Sequence, residues 1–291
     1  MHGQRDAFLD IIGAKPVLMG ILNLTPDSFS DGGRYFNLDA AVAQALRLVA
    51  DGADIIDIGA ESTRPGATPV PEAEELARIE PILGAVALAI TAPISIDTYK
   101  ASVARRAVQL GACVVNDVWG LQKDPAMADT VAETGAAVVV MHNRAAVDPD
   151  IDIVSDMRRF FDHSLKLAAR AGIPQAHIML DPGIGFGKSQ LQNLQALQGL
   201  ASFADYSLPM LVGVSRKSLL GAVLDSAIDQ RLIGTIATNL AARARGAQIF
   251  RVHDVAEHVA AFRMFEAIDH PESFQQPESV QQPESLQHAR I

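Results

Sequence analysis

Short apolar runs alternate along this chain with segments in which apolar residues recur every three or four positions. The first pattern is typical of buried strands and the second of one face of a helix. The clearest run, Val17–Leu22, gives way at Asn23 to polar and turn-forming residues that continue to Gly33. A buried strand that ends in a long polar loop is a common way for an α/β fold to present reactive side chains.

The same pattern predicts eight strands, and their order is Val17–Leu22, Ile55–Ile58, Ile94–Ile96, Cys113–Val115, Ala137–Met141, Ile178–Leu180, Pro209–Val214 and Gln248–Phe250. Helical spacing between them predicts eight helices, over 37–52, 76–90, 100–110, 124–135, 152–171, 191–204, 230–245 and 255–268. Asn37, Thr98 and Asp124 are predicted N-caps, and Pro81 should kink or split the second helix.

Alternation of strand and helix indicates an α/β protein with a parallel sheet. Eight such units in about 250 residues is the usual size of a (β/α)₈ barrel, or TIM barrel, which is the predicted fold. An open doubly wound sheet would alternate in the same way and is the alternative. The predicted organisation is a lead-in over residues 1–15, one barrel domain over 16–269 and a tail over 270–291.

The tail contains PESFQQ, PESVQQ and PESLQH, three near-copies of one hexapeptide. Its Pro, Glu, Gln and Ser residues bury little apolar surface, so we predict that it is disordered. A role in binding a partner is the alternative.

Composition narrows the class of protein. The 291 residues include 34 Asp and Glu against 24 Lys and Arg, a net charge of −10, which argues against a general nucleic-acid surface. Any anionic ligand must therefore be held by a local group of cations. The single cysteine, Cys113, forms no internal disulfide, and no apolar segment has the length of a signal peptide or membrane span. We expect a cytoplasmic protein without membrane contact.

Polar residues stand at or after the end of every predicted strand, and these are Asn23, the loop after Gly59, Asp97, Asn116, His142, Asp181, Lys217 and Arg251–His253. A single Asp or Asn in such a place is commonly a cap or a turn residue. In a barrel, however, all eight strand ends meet at one face, where active sites of this fold lie. The whole set therefore predicts a functional site.

The side chains of the set fall into two chemical groups. Asp97, Asn116 and Asp181 supply acceptors, and an aminopyrimidinone ring, with an amino group beside a ring N–H, offers two parallel donors to one carboxylate. Lys217, Arg251 and His253, together with Arg64, form a cationic group in an otherwise acidic protein. It suits a phosphate or pyrophosphate, which barrels often bind after their last two strands.

Other candidate motifs predict no separate site. The run from Gly183 to Ser189 fits neither the phosphate-binding nor the dinucleotide-binding glycine pattern. Its glycines are interpreted as allowing the backbone to approach a flat ligand, with Phe186 packed on it. His163, His258 and Cys113 have no partner at a meaningful spacing and are interpreted as structural or surface residues.

Several segments resemble dihydropteroate synthase, and they are ILNLTPDSFSDGG, DIGAESTRPGA, SIDT, NDVWG, DPGIGFGK, VGVSRKSLLG and RVHDV. They occur in order, and the resemblance as a whole covers roughly residues 16–268. The resemblance implies a (β/α)₈ barrel, usually a homodimer, that acts in folate biosynthesis. Such an enzyme joins 6-hydroxymethyl-7,8-dihydropterin diphosphate to 4-aminobenzoate with Mg²⁺ and releases pyrophosphate.

The resemblance also implies residue roles. Pterin-binding residues would be Asp97, Asn116, Asp181 and Lys217. Arg64, Arg251 and His253 would bind the diphosphate, and Asn23 would contact Mg²⁺. The residues bordering 4-aminobenzoate would be Thr63, Arg64, Pro65, Phe186 and Ser215. Asp97, Lys217 and Asn23 would be catalytic. Met141-His142-Asn143-Arg144 departs from the family pattern, so no role is implied for Asn143 or Arg144.

Two other functions share a pterin-binding barrel. One is transfer of a methyl group from a methylated folate to a corrinoid, which has no use for the cations Lys217, Arg251 and His253. The other is pterin binding without catalysis, which would not need Asn23, Thr63 or Arg64. The presence of both sets of residues favours the synthase.

Overall fold

The computed structural model describes residues 2–24, 34–61 and 68–273, and its strands form one parallel sheet. The strands are β1 (Val17–Asn23), β2 (Ile55–Gly59), β3 (Ile94–Asp97), β4 (Val114–Asp117), β5 (Ala137–Met141), β6 (Ile178–Asp181), β7 (Leu211–Val212) and β8 (Ile249–Val252). Strands β1 to β6 pair in chain order, β1 also pairs with β8, and β8 pairs with β7. A bridge between Leu180 and Met210 joins β6 to β7. The sheet closes, which confirms the predicted barrel.

Helices surround the sheet, and those of the described residues are α1 (His2–Ile11), α2 (Arg34–Ala50), α3 (Glu72–Ala89), α4 (Ala101–Gln109), α5 (Met127–Thr134), α6 (Ile153–Ala171), α7 (Gln190–Gln198), α8 (Ser218–Leu224), α9 (Leu232–Arg243) and α10 (Val255–Asp269). The sequence predicted neither α1 nor α8, so strict alternation was too simple. Helix α8 has only seven residues, which is too short for a clear helical period. The helix predicted over 191–204 is α7 followed by a 3₁₀ helix, Leu200–Tyr206.

Three predicted N-caps are wrong. Helix α2 begins at Arg34, so Asn37 lies inside it. Helix α4 begins after Lys100, and the Thr98 hydroxyl accepts a bond from the Lys100 N–H at 3.3 Å. Helix α5 begins at Met127, after Ala126. Asp124 accepts the N–H of Ala126 at 3.0 Å and also that of Ala101, the first residue of α4, at 2.8 Å. Local sequence favoured each cap, but each helix begins at another residue.

Pro81 lies within a continuous α3, so the predicted split of this helix does not occur. Proline removes the hydrogen bond to the carbonyl four residues earlier, which belongs to Ala77. Because Ala77 is exposed, water can take the place of the missing donor.

Helix α1 covers the end of the barrel at which the strands begin. Its Phe8 is 1% exposed and packs with Val17, Ile55, Cys113 and other residues in the first half of the strands. This end is filled with apolar side chains, so the opposite end is the one open to chemistry. No helix in the described part of the chain is long and apolar enough to cross a membrane.

Candidate active site

The polar residues that end the strands lie together at the opposite end of the barrel from α1. Asn23 ends β1 beside Gly59, and Asp97 ends β3 directly beside Asn116 on β4. Asp181 ends β6, and the turns after β7 and β8 carry Lys217 and His253, with Arg251 inside β8. Thr63, Arg64 and Pro65 lie outside the described residues.

Arg251 joins two carboxylates at the centre of this group. Its Nε donates to Asp57 Oδ2 at 2.6 Å, and its Nη2 donates to Asp97 Oδ2 at 2.9 Å. The same oxygen of Asp57 accepts a bond from Asn116 Nδ2 at 3.2 Å. One guanidinium therefore fixes the relative positions of residues on β2, β3 and β8.

Asp57 is the residue that the sequence interpretation missed. The resemblance includes Asp57 in a motif but implies no role for it, although it is completely buried and accepts bonds from both Arg251 and Asn116. The available signal was a charged residue in the middle of the apolar run IIDIG. A buried carboxylate requires a partner, so such a residue predicts a cation on a neighbouring strand.

The acceptors are buried and partly unsatisfied. Asp97 Oδ1, Asp57 Oδ1 and Asn116 Oδ1 have no hydrogen-bond partner among the described residues. Burial raises the pKa of Asp97 to about 7 and also raises the pKa of Asp181. Buried acceptors without donors suit a ligand that brings several N–H groups of its own.

Lys217 is the cation that faces Asp181. Its Nζ donates to the carbonyl of Ile184 at 2.5 Å and lies 4.8 Å from the centre of the Phe186 ring. Burial lowers its pKa to about 8, although Asp181 opposes that shift. The ammonium of Lys217 and the ring of Phe186 therefore present one charged and one apolar surface beside the carboxylates.

The turn after β7 is held in an uncommon conformation. Arg216 has a φ of 58°, in the left-handed region, and its guanidinium pairs with Asp254. Arg231 donates to the carbonyls of Arg216 at 3.0 Å and Lys217 at 3.3 Å. Strained backbone that is fixed from two sides is typical of functional sites.

Ser215 and His253 connect the ends of β7 and β8. The Ser215 Oγ lies 2.9 Å from His253 Nδ1 and accepts the His253 backbone N–H at 3.2 Å. The pair fixes the His253 imidazole in the part of the mouth formed by β7 and β8, which also carry Lys217 and Arg251. This is where the sequence predicted a phosphate site.

The glycines after β6 serve a different purpose from the predicted one. A Cβ on Gly183 would lie 1.9 Å from the carbonyl oxygen of His142, and one on Gly187 would lie 2.3 Å from that of Arg144. Both glycines therefore allow close approach to the loop after β5, not to a ligand. Gly185 differs, because its nearest neighbour is the Lys217 side chain at 3.4 Å.

The departure from the family pattern after β5 has a structural role. Asn143 is buried and donates to the carbonyl of Val118 at 2.8 Å, and Arg144 pairs with Asp156 on α6 at 2.6 Å. His142 is fully buried, and burial lowers its pKa to about 3, so it is neutral. These residues hold the loops after β4 and β5 together.

His163, His258 and Cys113 are structural or exposed, in agreement with the sequence interpretation. His258 Nε2 lies 3.0 Å from Asn239 Nδ2 in the interface of α9 and α10, and His163 is exposed. Cys113 is buried and free. No group of three or more His, Cys, Asp or Glu side chains that could hold a metal occurs in residues 2–24, 34–61 and 68–273.

The comparisons with known proteins agree with this geometry. Residues 19–253 match the family described as pterin binding enzyme. The dihydropteroate synthase of Bacillus subtilis is 45% identical over 254 residues, which cover 87% of this chain and 89% of that protein. The chain belongs to the dihydropteroate synthase family.

Solved structures of dihydropteroate synthases extend the likeness to three dimensions. A Clostridium difficile structure determined in the presence of pteroic acid has a TM-score of 0.86 and 47% identity, covering 88% of this chain and 98% of that one. A Xanthomonas albilineans structure with 4-aminobenzoic acid has a TM-score of 0.84 and 43% identity, covering 88% and 93%. The barrel that carries the site therefore matches almost the whole length of both solved structures.

Proposed function

We propose that the chain joins 6-hydroxymethyl-7,8-dihydropterin diphosphate to 4-aminobenzoate and releases pyrophosphate, which is the activity of a dihydropteroate synthase. The supporting observation is the pairing of buried, unsatisfied carboxyl and amide oxygens with buried cations in one barrel mouth. A donor-rich heterocycle that carries an anionic leaving group matches both halves of that site.

The pterin is held by Asp97, Asn116 and Asp181. Its amino and ring N–H groups donate to these side chains, as a guanidinium does to a carboxylate. Phe186 and Lys217 border the flat ring, since their separation of 4.8 Å already places a cation over an aromatic face.

The diphosphate is held by Lys217, Arg251 and His253, with Arg64 as a further candidate outside the described residues. Arg251 uses two nitrogens for Asp57 and Asp97. Its third nitrogen remains for an oxygen of the leaving group, so this side chain connects the two parts of the substrate. We expect it to orient the carboxylates and to bind the anion.

Mg²⁺ fits the donor chemistry of Asn23, the amide at the end of β1. Mg²⁺ prefers oxygen ligands and usually combines one or two protein oxygens with phosphates and water. One amide oxygen together with a diphosphate is such a set. When bound there, the ion would neutralise charge that develops on the leaving group.

The reaction needs no protein nucleophile. The bond between the exocyclic methylene and the diphosphate oxygen breaks, and its electron pair leaves with pyrophosphate. Lys217, Arg251 and His253 stabilise that charge, and Asp97 stabilises the positive charge spread over the dihydropterin ring. The arylamine nitrogen then forms a bond to the methylene and loses a proton. Thr63, Arg64, Pro65, Phe186 and Ser215 are the residues proposed to border the arylamine.

A homodimer is the assembly we propose. A groove of about 380 Å³ between α7, α8 and α9 is lined by apolar residues such as Leu194, Val223 and Leu224. Beside it, Ile233 is 80% exposed and Leu191 is 64% exposed. A contiguous apolar surface of this kind is unusual on a free monomer and suits a second copy of the chain, the assembly usual in this family.

We also propose a cytoplasmic location, which suits a lone buried thiol.

The deciding assay measures pyrophosphate release and 7,8-dihydropteroate formation. Both are expected only when dihydropterin diphosphate, 4-aminobenzoate and Mg²⁺ are present together. Asp181→Ala should weaken pterin binding by at least about a hundredfold, since two charge-assisted hydrogen bonds are lost. Pyrophosphate release without the arylamine, or methyl transfer from a methylated folate, would contradict the proposal. Pterin binding without any turnover would support the non-catalytic alternative.

A further inference from the structure

Lys188 is a buried lysine in the loop between β6 and α7, and the proposed reaction does not use it. Its Nζ donates to three backbone carbonyls, those of Gly183 at 2.8 Å, Phe186 at 3.2 Å and His142 at 3.4 Å. An ammonium has three N–H donors, so these carbonyls use all of them. The partners of Lys188 are backbone dipoles and not a carboxylate.

These bonds tie Lys188 to two residues of the site. The N–H of Gly183 donates to Asp181 Oδ1 at 2.6 Å. Gly183 has a φ of 63° and lies close to the carbonyl of His142, so the loop backbone has little freedom at this residue. Phe186, the second carbonyl partner, carries the ring that faces Lys217. Loss of Lys188 would therefore release the backbone on which both Asp181 and Phe186 depend.

The charge of Lys188 also acts on Asp181. Burial lowers the pKa of Lys188 to about 7, and Asp181 opposes that shift. Burial raises the pKa of Asp181, and the positive charges of Lys217 and Lys188 oppose it. The titratable groups that face Lys188 are Asp181 on β6, Lys217 after β7, Asp156 on α6, and Arg144 and His142 after β5. Because His142 is neutral, the positive charge that the β5 and β6 loops bring to Asp181 is that of Lys188.

We propose that Lys188 is a positioning residue for the pterin, which fixes the loop that carries Phe186 and keeps Asp181 ionised. This inference rests on the proposed function, because it assumes that Asp181 receives the N–H groups of the pterin. An ionised carboxylate accepts two such bonds, whereas a protonated one presents an O–H toward a donor. The buried charge of Lys188 would thus lower the pH at which Asp181 stops accepting the N–H groups of the pterin. Asp97, with a pKa of about 7, contributes an acid-side fall of its own that is common to the wild type and all variants.

Three variants separate the charge of Lys188 from its hydrogen bonds. Lys188→Gln keeps two N–H donors and removes the charge, and Lys188→Arg keeps the charge. Asn193→Ala removes the acceptor that holds the Gly185 N–H at 2.7 Å, so it loosens the same loop without a change of charge. Lys166→Met, on the exposed side of α6, is the matched control.

The readout is the affinity for 6-hydroxymethyl-7,8-dihydropterin, measured by calorimetry between about pH 5.5 and about pH 8.5. In Lys188→Gln, the part of the acid-side fall in affinity that belongs to Asp181 is expected to move up by about one pH unit, which is about a tenfold loss at a fixed acidic pH. Asn193→Ala should weaken binding by the same factor at every pH. Lys188→Arg and Lys166→Met should keep the wild-type acid limb. A Lys188→Gln profile parallel to that of the wild type would overturn the proposal.

Two further measurements keep the outcome decisive. Near-ultraviolet circular dichroism establishes whether each variant is folded. If Lys188→Gln is not, nitrogen-15 NMR of the wild-type lysines should show Lys188 charged in the pterin complex at the pH of tightest binding, and a neutral amine there would refute the inference. A wild-type protein that makes no dihydropteroate would refute the proposed function, whereas normal synthesis with an unchanged Lys188→Gln profile would refute only the role of Lys188.

Discussion

Asp57 lies in the middle of β2 between Ile56 and Ile58, and its carboxylate is shielded from water. An isolated charge in this place would be costly, but Arg251 and Asn116 both donate to Asp57 Oδ2. The residue therefore positions two members of the site without being exposed in the mouth. At this scale, a single buried carboxylate sets the direction of the guanidinium that connects pterin and diphosphate.

Asp57→Asn tests that role. The substitution keeps the shape but removes the charge that orients Arg251, so Arg251 should bind Asp97 more strongly and leave it less available to the ligand. We expect pterin affinity to fall by about 1.5–3 kcal/mol, which is at least about tenfold, in calorimetry. Asp51→Asn at the exposed end of α2 is the control. Unchanged affinity in Asp57→Asn would remove Asp57 from the site.

Lys100 connects three elements below the mouth. Its Nζ contacts Glu61 after β2 and Glu75 on α3, the latter at 2.5 Å, and donates to the carbonyl of Val70 at 2.8 Å. The hydroxyl of Thr98 donates to Glu75 Oε1 at 2.9 Å. Since both carboxylates are buried, Lys100 stabilises the contact between Glu61, Val70 and Glu75.

Removal of this cation should be costly. Lys100→Met leaves two buried carboxylates without a cation, and we expect unfolding free energy to fall by about 3–5 kcal/mol in denaturant titrations. Combining it with Glu75→Gln should restore part of the loss, because one of the unpaired charges is gone. Strictly additive losses in the double variant would show that the two residues are not coupled.

Predictability from sequence differed between interior and ends of the elements. Strand β5 and the ends of α5 and α6 followed the pattern, because Gly135 and Gly172 take the left-handed conformation that terminates a helix. The predicted start of α5 did not, since the helix begins at Met127 and Asp124 is shared between the N–H of Ala126 and that of Ala101 on the neighbouring helix α4. Apolar periodicity is a local property, whereas such a contact depends on the assembled barrel.

At the scale of the whole molecule, the barrel has one filled end and one reactive end. Phe8 of α1 fills the first, and the residues from Asn23 to His253 surround the second. The sequence predicted the reactive end, because the strand ends of a barrel meet there whatever their distance along the chain. It did not predict the contribution of α1, whose apolar positions are too few for a helical period.

Separation of the two ends leads to a prediction about stability. Phe8→Ala should lower the unfolding free energy by about 3–5 kcal/mol, measured by denaturant titration, because it leaves a cavity among the first residues of the strands. The kcat/KM for pyrophosphate release below the melting temperature should stay within about twofold of the wild type, since Phe8 packs among residues in the first half of the strands, away from the strand ends that carry the site. Phe8→Leu, which keeps most of the volume, should lose less. A large loss of kcat/KM in Phe8→Ala would show that the two ends are coupled.

The joint between β6 and β7 has one bridge, between Leu180 and Met210, whereas the other neighbouring strands share longer ladders. Asp181 is the last residue of β6 on one side of this joint, and Lys217 follows β7 on the other. A pterin held by both side chains would connect the two neighbouring strands that share the shortest ladder in the barrel. Each turnover would then form and break this connection, so that the stability of the barrel between β6 and β7 rises when substrate binds and falls when product leaves.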